Sequence, residues 1–180
     1  LRDRMKFFKK APETEKIVKS LKDNNNIYLV PAFTGLGAPY WDANARGVLS
    51  GITRDTSPKE IVRATIEAVA YQTFDLFEAM KHDGLRPKIV KVDGGMVMNN
   101  WFSQFLSDIV NVKVLRPKVQ ETTALGAALM AGLQIGVYKS LKDISKNWHL
   151  DKKFIPKMKN APRSKLLKGW SAAIKKTLTN

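Results

Sequence analysis

The stretch VDGGMVMNN, residues 92–100, decides the fold because it joins an apolar run to an amphipathic run through two adjacent glycines. The run before it, residues 89–92, has the composition of a short strand. The run after it places Trp101, Phe105 and Ile109 on one side of a helix. Two glycines at this junction leave the main chain uncovered and permit backbone angles that other residues avoid. The stretch therefore predicts an α/β unit in which a ligand can approach the main chain.

The two asparagines after the glycines can serve either the next helix or a ligand. Asn99 or Asn100 can cap the helix, and the amide of the other can donate to and accept from a purine ring or a ribose. The helix start also offers unpaired N–H groups and a positive dipole end, which suit a nucleotide. A tight turn with an asparagine cap is nevertheless common in α/β proteins of any function. The pattern alone therefore favours a plain turn over a nucleotide site.

The elements on both sides of this stretch predict an α/β domain with helices over a sheet, in the order strand, strand, helix, strand, helix, strand, helix. The further predicted elements are a helix over residues 3–22, a strand over 27–30, a strand over 48–52 that pairs with it, a helix over 57–83, a strand over 112–115 that Arg116 and Pro117 end, and helices over 124–137 and 165–178. The helix over 57–83 is the longest element, and we expect it to be central.

Two helix starts carry local signals. Ser57, Pro58 and Glu60 form a capping box with proline at the first helical position. Thr122 or Thr123 is expected to cap the helix over 124–137. In that helix small side chains recur every four residues, which lets another backbone approach closely, so we expect it to be buried. The small residues are Ala124, Ala128 and Gly132.

Composition limits the classes of protein that the chain can represent. It has 180 residues and no cysteine, which excludes disulfides and thiolate metal sites and agrees with a cytoplasmic, reducing compartment. The longest nearly apolar run, residues 124–138, is too short to cross a bilayer. The chain begins at Leu1 without methionine or leader, and we expect a fragment of a longer protein.

Charge raises a nucleic acid or an acidic lipid surface as a partner, since the formal net charge is +15. Most of the excess lies in residues 136–180, where lysines are interspersed with Leu, Ile, Trp and Phe. Such spacing is typical of a solvated helix face. A basic nucleic-acid-binding module is therefore an alternative that the sequence does not favour.

The segment GVLSGITRDTSPKEIVRATIE, residues 47–67, resembles the C-terminal signature of the FGGY carbohydrate kinases. Gly47, Gly51, Glu60 and Glu67 fall at the spacing that this signature requires. Five further blocks are similar, in the same order, to the glycerol kinases of that family: VPAFTGLGAPYWDANARG, IEAVAYQT, VDGGMVMNN, FLSDIV and TALGAALMAGL. The resemblance runs from Leu1 to about Tyr138 and, more loosely, to Gly169 and Trp170.

The resemblance implies a fold of the actin, hexokinase and Hsp70 type, which is ribonuclease H-like, with two domains around a cleft. The chain would be an incomplete C-terminal nucleotide-binding domain over 1–180, with an N-terminal helix in 1–26, an α/β core over 27–138 and a basic helical tail over 139–180. The implied reaction transfers the γ-phosphate of MgATP to glycerol. Another sugar or polyol kinase of the family is the alternative, and homo-oligomers are common among these kinases.

By the same resemblance, Gly95 and Asn99 match the nucleotide contacts of the family, with Gly94 beside them. No catalytic residue, Mg²⁺ ligand or glycerol contact is assigned to this chain, because the family places them upstream of the residue that matches Leu1. We therefore expect the chain alone to be inactive. Among other polar residues, we expect Asp42 and Arg46 to form an ion pair and Glu67 to make a structural hydrogen bond.

Overall fold

The computed structural model describes residues 1–179 and confirms the α/β class. The chain is helical in α1 (Glu13–Lys19), α2 (Pro58–His82), α3 (Asn100–Val110), α4 (Thr122–Gln134), α5 (Leu141–Ser145) and α6 (Asn160–Thr177). Its strands are β1 (Tyr28–Val30), β2 (Val48–Ser50), β3 (Ile89–Lys91), β4 (Lys113–Pro117) and β5 (Leu150–Phe154). A 3-10 turn over Gly95–Met98 lies between β3 and α3.

The strands form two small sheets. β1 pairs with β2, as predicted, and the pair is antiparallel with Tyr28 opposite Ser50. β3 pairs parallel with β4, and β4 pairs antiparallel with β5. The order β3, α3, β4 is a parallel crossover unit, so the glycine pair follows the carboxyl end of β3. In open α/β sheets this end of the strands is where ligands bind.

The predicted central helix is confirmed in α2. The hydroxyl of Ser57 accepts from the Lys59 N–H at 3.2 Å, and the Glu60 carboxylate accepts from the Ser57 N–H at 3.0 Å. Pro58 occupies the first helical position, where its missing N–H is not needed. These contacts fix the start of a helix of 25 residues that packs against α1, α3 and β1.

Aromatic side chains dominate the core between α2, α3 and α6. The buried rings of Tyr71 and Trp170 stack with their centroids 5.2 Å apart, and Phe105 meets Tyr71 edge-on at 5.7 Å. The Trp170 indole N–H donates to the Asp75 carboxylate at 2.7 Å, which satisfies its polar atom. Gly169 lets α6 approach this cluster, since a Cβ there would lie 2.2 Å from the Tyr28 hydroxyl oxygen.

A buried ion pair within α2 holds the loop that joins α1 to β1. The Arg63 guanidinium contacts the Glu67 carboxylate at 2.7 Å and donates to the Leu21 carbonyl at 2.7 Å. Glu67 is fully buried and also accepts from Tyr71 at 2.9 Å and Asn24 at 3.1 Å. Burial raises the pKa of Glu67, and the contact with Arg63 opposes that rise. The expected structural hydrogen bond of Glu67 is therefore part of a larger network.

The structure corrects the predicted bounds at both ends of the chain. Within residues 3–22 only Glu13–Lys19 is an α-helix, because Pro12 cannot lie inside a helix. The tail is not wholly helical either, since β5 adds a strand over Leu150–Phe154. Four of its five residues are exposed, so the sequence carries little periodic signal there. β4 continues through Arg116 and Pro117, where the sequence predicts a stop.

The prediction of a buried α4 is wrong. Only Gly132 is buried in this helix, where it packs against the Tyr138 ring that follows it, while Ala124 and Ala128 are exposed. Small residues permit a close approach but do not supply the neighbour. The predicted threonine cap is also wrong, because Glu121 is the N-cap residue and no side chain makes a capping hydrogen bond.

We predict that Gly169→Ala lowers the free energy of unfolding by about 1–3 kcal/mol, since the added methyl group overlaps Tyr28. Urea denaturation measures this change. Gly126→Ala is the matched control, because Gly126 is also inside a helix and its Cβ would meet open space. That control should gain up to about 1 kcal/mol from helix propensity. Equal effects of the two substitutions would contradict the packing account.

We further predict that Glu67→Leu lowers the free energy of unfolding by about 3–5 kcal/mol, because Arg63 keeps a buried and unpaired charge. The double substitution Arg63→Met with Glu67→Leu should recover most of the loss, since it removes both charges. Denaturant midpoints of the two variants give the comparison. A double variant no more stable than Glu67→Leu would contradict this account, because it would show that the loss does not come from the unpaired charge of Arg63.

Candidate functional site

The main chain at the glycine pair is open. Gly94 has φ +82°, a region that other residues rarely adopt, and its N–H donates to the Gln120 carbonyl at 3.2 Å. A Cβ added at Gly94 or Gly95 would meet no heavy atom within 4 Å. Gly95 is also exposed. A ligand can therefore lie against the backbone of the glycine loop, which we define as residues 92–99.

A cavity of about 460 Å³ lies between the glycine loop and the segment that leads into α1. We call it the glycine-loop cavity. Its walls are mostly apolar, with polar groups from Thr14, Glu15 and Asn99. The lining residues are Phe8, Ala11, Pro12, Thr14, Glu15, Ile66, Gly95, Met96, Met98 and Asn99. Its volume is in the range of small-molecule sites.

Asn99 lies on this cavity and also caps α3. Its side-chain oxygen accepts from the Phe102 N–H at 2.9 Å, and its amide nitrogen donates to the Thr14 hydroxyl at 3.3 Å. An amide nitrogen carries two hydrogens, so this geometry leaves one for a further acceptor. Asn100 lies outside the lining, and its side-chain oxygen accepts from Arg116 at 3.3 Å and Lys152 at 3.1 Å.

The start of α3 differs from the prediction of free N–H groups. The Asn100 N–H donates to the Glu15 carboxylate at 3.2 Å, and the Phe102 N–H donates to Asn99. The Ser103 N–H donates to the Asn99 carbonyl at 3.1 Å. The N–H groups of Asn100 and Phe102, which could otherwise bind a phosphate, are therefore occupied. The main chain of the glycine pair is left as uncovered backbone at this junction.

The α1 side of the cavity is the part that sequence reasoning missed. Glu15 accepts from the Asn100 N–H and pairs with Lys19. Burial opposes the charge of Glu15, but these hydrogen bonds outweigh it and lower the pKa of its carboxyl group. Phe8 and Thr14 complete this wall. The available signal was the apolar Phe8 beside a proline-started helix, which indicates packing but not what it packs against.

The other polar side chains near the loop or predicted to pair, Asp93, Asp42 and Arg46, do not line the glycine-loop cavity. Asp93 is exposed. The predicted ion pair of Asp42 and Arg46 is wrong, because Arg46 donates to the carbonyls of Ala43 and Ala45. Asp42 instead accepts from the Thr179 N–H at 2.7 Å, and this bond is the main reason that its pKa is lowered. Across residues 1–179, His, Cys, Asp and Glu form no group of three or more that could hold a metal ion.

A second cavity is larger, at about 530 Å³, and lies beside Arg63 and Trp101. We call it the Arg63 cavity. Volume alone would favour it, but the charge of Arg63 is already balanced by Glu67. The glycine-loop cavity has the uncovered main chain and a polar side chain with remaining donor capacity. Chemistry therefore favours the smaller cavity as the candidate site.

Residues 1–179 contain no helix with the length and apolarity that crossing a membrane requires.

The chain is similar over nearly its whole length to glycerol kinases. It is 53% identical over 176 residues to glycerol kinase 1 of Pseudomonas aeruginosa and 50% identical over 179 residues to a glycerol kinase of Clostridium botulinum. These alignments cover 98% and 99% of this chain but 36% of each relative. The chain thus spans little more than a third of the length of those relatives.

Solved structures show the same fold. The structure of Plasmodium falciparum glycerol kinase with ADP matches 99% of this chain and 36% of its own, with a TM-score of 0.86 and 34% identity. A ligand-bound xylulose kinase from Lactobacillus acidophilus matches 97% of this chain and 35% of its own, with a TM-score of 0.77 and 24% identity, and supports the fold alone. The predicted actin- and hexokinase-like fold is confirmed.

The family model that matches is the C-terminal domain of the FGGY family of carbohydrate kinases, over residues 3–135. This match includes β1 to β4 and the whole glycine loop. It confirms the family that the signature over residues 47–67 indicates. The chain belongs to the FGGY family of carbohydrate kinases.

Proposed function

We propose that this chain forms one wall of the nucleotide site of an ATP-dependent glycerol kinase. The observation that carries the proposal is the uncovered main chain of Gly94 and Gly95, of which Gly95 lines the glycine-loop cavity. Identities of 50% and 53% to glycerol kinases support glycerol as the phosphate acceptor of the intact enzyme. The ADP named with the Plasmodium falciparum kinase supports a nucleotide as the ligand.

The volume and the lining of the glycine-loop cavity support a nucleotide as its ligand. Phe8, Met96 and Met98 present apolar surface that suits the faces of a purine ring. The remaining N–H of the Asn99 amide can donate to a ring nitrogen or a ribose oxygen. Side chains at Gly94 and Gly95 would occupy the space that the ligand needs. Gly94, Gly95 and Asn99 are therefore our proposed nucleotide contacts.

The glycine-loop cavity has one carboxylate in its lining, that of Glu15, and this carboxylate already binds the Asn100 N–H and Lys19. Mg²⁺ in kinases is held by one or two carboxylates together with substrate phosphates. We propose that in the intact kinase the metal, the glycerol and the catalytic base are held by residues outside this chain. We retain the division into residues 1–26, 27–138 and 139–180, and a cytoplasmic location, as parts of this proposal.

We predict that the chain binds ADP and that Gly95→Val raises its Kd by about tenfold or more, since the valine side chain fills ligand space. Gly37→Val is the matched control, because a Cβ at Gly37 also meets nothing within 4 Å and Gly37 lies outside the cavity lining. Isothermal titration calorimetry measures both variants. The same Kd for Gly95→Val and the unchanged chain would overturn the proposed site.

We also predict that the 180-residue chain shows no glycerol-dependent release of ADP from MgATP. Phosphoryl transfer needs a base for the hydroxyl, a metal on the phosphates and closure around both substrates. A coupled assay for ADP, with an intact glycerol kinase as the positive control, measures this directly. Release of ADP that depends on glycerol would contradict the assignment of the catalytic parts to other residues.

A further inference from the structure

Arg116 lies on β4 in contact with the glycine loop, and it is only 5% exposed. One terminal nitrogen, Nη1, donates to the Val97 carbonyl at 2.8 Å and lies 3.4 Å from the Met98 carbonyl. The other, Nη2, donates to the side-chain oxygen of Asn100 at 3.3 Å. Nε donates to the Asp151 carboxylate at 2.7 Å. A single guanidinium therefore joins β4, the 3-10 turn, the start of α3 and β5.

The carbonyls that Arg116 binds are those that a short 3-10 turn leaves without partners. A turn of four residues satisfies few of its own carbonyls, and a buried carbonyl without a donor is costly. Val97 is buried, and its carbonyl accepts from the Ser103 hydroxyl as well as from Arg116. The planar guanidinium presents donors in a fixed geometry, which a lysine ammonium cannot reproduce.

The contacts of Arg116 also explain a role for β5, the strand that the sequence did not predict. Asp151 on β5 balances the charge of Arg116. Its neighbour Lys152 donates to the side-chain oxygen of Asn100 at 3.1 Å, the same atom that Arg116 contacts. The ring of Phe154 lies 5.6 Å from the guanidinium carbon. The tail of the chain thus supports the glycine loop through residues that do not line the cavity.

We propose that Arg116 is a positioning residue for the nucleotide site. It does not line the glycine-loop cavity, so it acts through the loop rather than on the ligand. By holding Val97, Met98 and Asn100, it fixes the Gly94–Gly95 main chain and the Asn99 amide relative to α1. The inference rests on the proposed nucleotide function of the same loop.

The test uses ADP titrations of the 180-residue chain with Arg116→Met and Arg116→Lys. We expect the Kd for ADP to rise about fivefold or more in Arg116→Met, because its contacts to the turn are lost. Arg116→Lys should rescue little of this, since an ammonium cannot bridge Val97 and Asn100 together. Lysine that restores the wild-type Kd would overturn the role of the guanidinium geometry.

Arg163→Met is the matched control. Arg163 also donates to two backbone carbonyls of α3, those of Asp108 and Ile109, but at the opposite end of the helix from the glycine loop. Its loss should lower stability without changing the Kd for ADP. An unchanged Kd in a folded Arg116→Met variant, or an equal rise in Arg163→Met, would overturn the inference.

Amide hydrogen exchange separates this inference from the proposed function. In Arg116→Met, faster exchange should be confined to the amides of residues 97–103, and in Arg163→Met it should spare them. Exchange in residues 97–103 that is unchanged by Arg116→Met would overturn the inference even if ADP binds. No ADP binding by the unchanged chain, or equal binding by Gly95→Val, would instead overturn the proposed function, while the exchange result still decides whether Arg116 holds the loop.

Discussion

The structure depends on a main-chain segment that is bare on one side and held firmly on the other. Gly94 and Gly95 remove the side chains that would keep a ligand away from the backbone. Such a segment would be loose by itself, because glycine has more conformational freedom than any other residue. The bonds of Asn99 to α3 and α1, and those of Arg116 to the 3-10 turn, restrict it. The glycines therefore leave the backbone accessible to a ligand, while Asn99 and Arg116 hold that backbone in place.

The rest of the core provides the frame for this segment. The Arg63–Glu67 pair fixes the loop between α1 and β1 to α2. The rings of Tyr71, Phe105 and Trp170 join α2, α3 and α6. α1 is held against this frame, because its Glu15 carboxylate accepts from the first N–H of α3. Buried charge and aromatic packing thus place the two walls of the glycine-loop cavity at a fixed separation.

The sequence predicts the features that local chemistry determines. It predicts the capping box at Ser57 and the strand-to-helix junction at the glycine pair, because neighbouring residues determine each of them. The sequence does not predict the features that depend on contacts between residues far apart in the chain. Which elements meet decides the place of Phe8 in the cavity wall, the exposure of α4 and the contacts of Arg116. β5 has too few buried residues to show the alternation of a strand. Family resemblance implies Gly95 and Asn99 as nucleotide contacts, but it does not point to the residues that hold the glycine loop in place.

The most direct measurement of the central claim is a map of amide chemical-shift changes by two-dimensional NMR as ADP is added to the chain. The account predicts that the largest changes fall on residues 94–99 and on Thr14 and Glu15, the two walls of the glycine-loop cavity. Changes centred on the Arg63 cavity, at residues 24–26 and Trp101, would contradict it. So would a titration with no localised change at ADP concentrations that saturate the calorimetric signal.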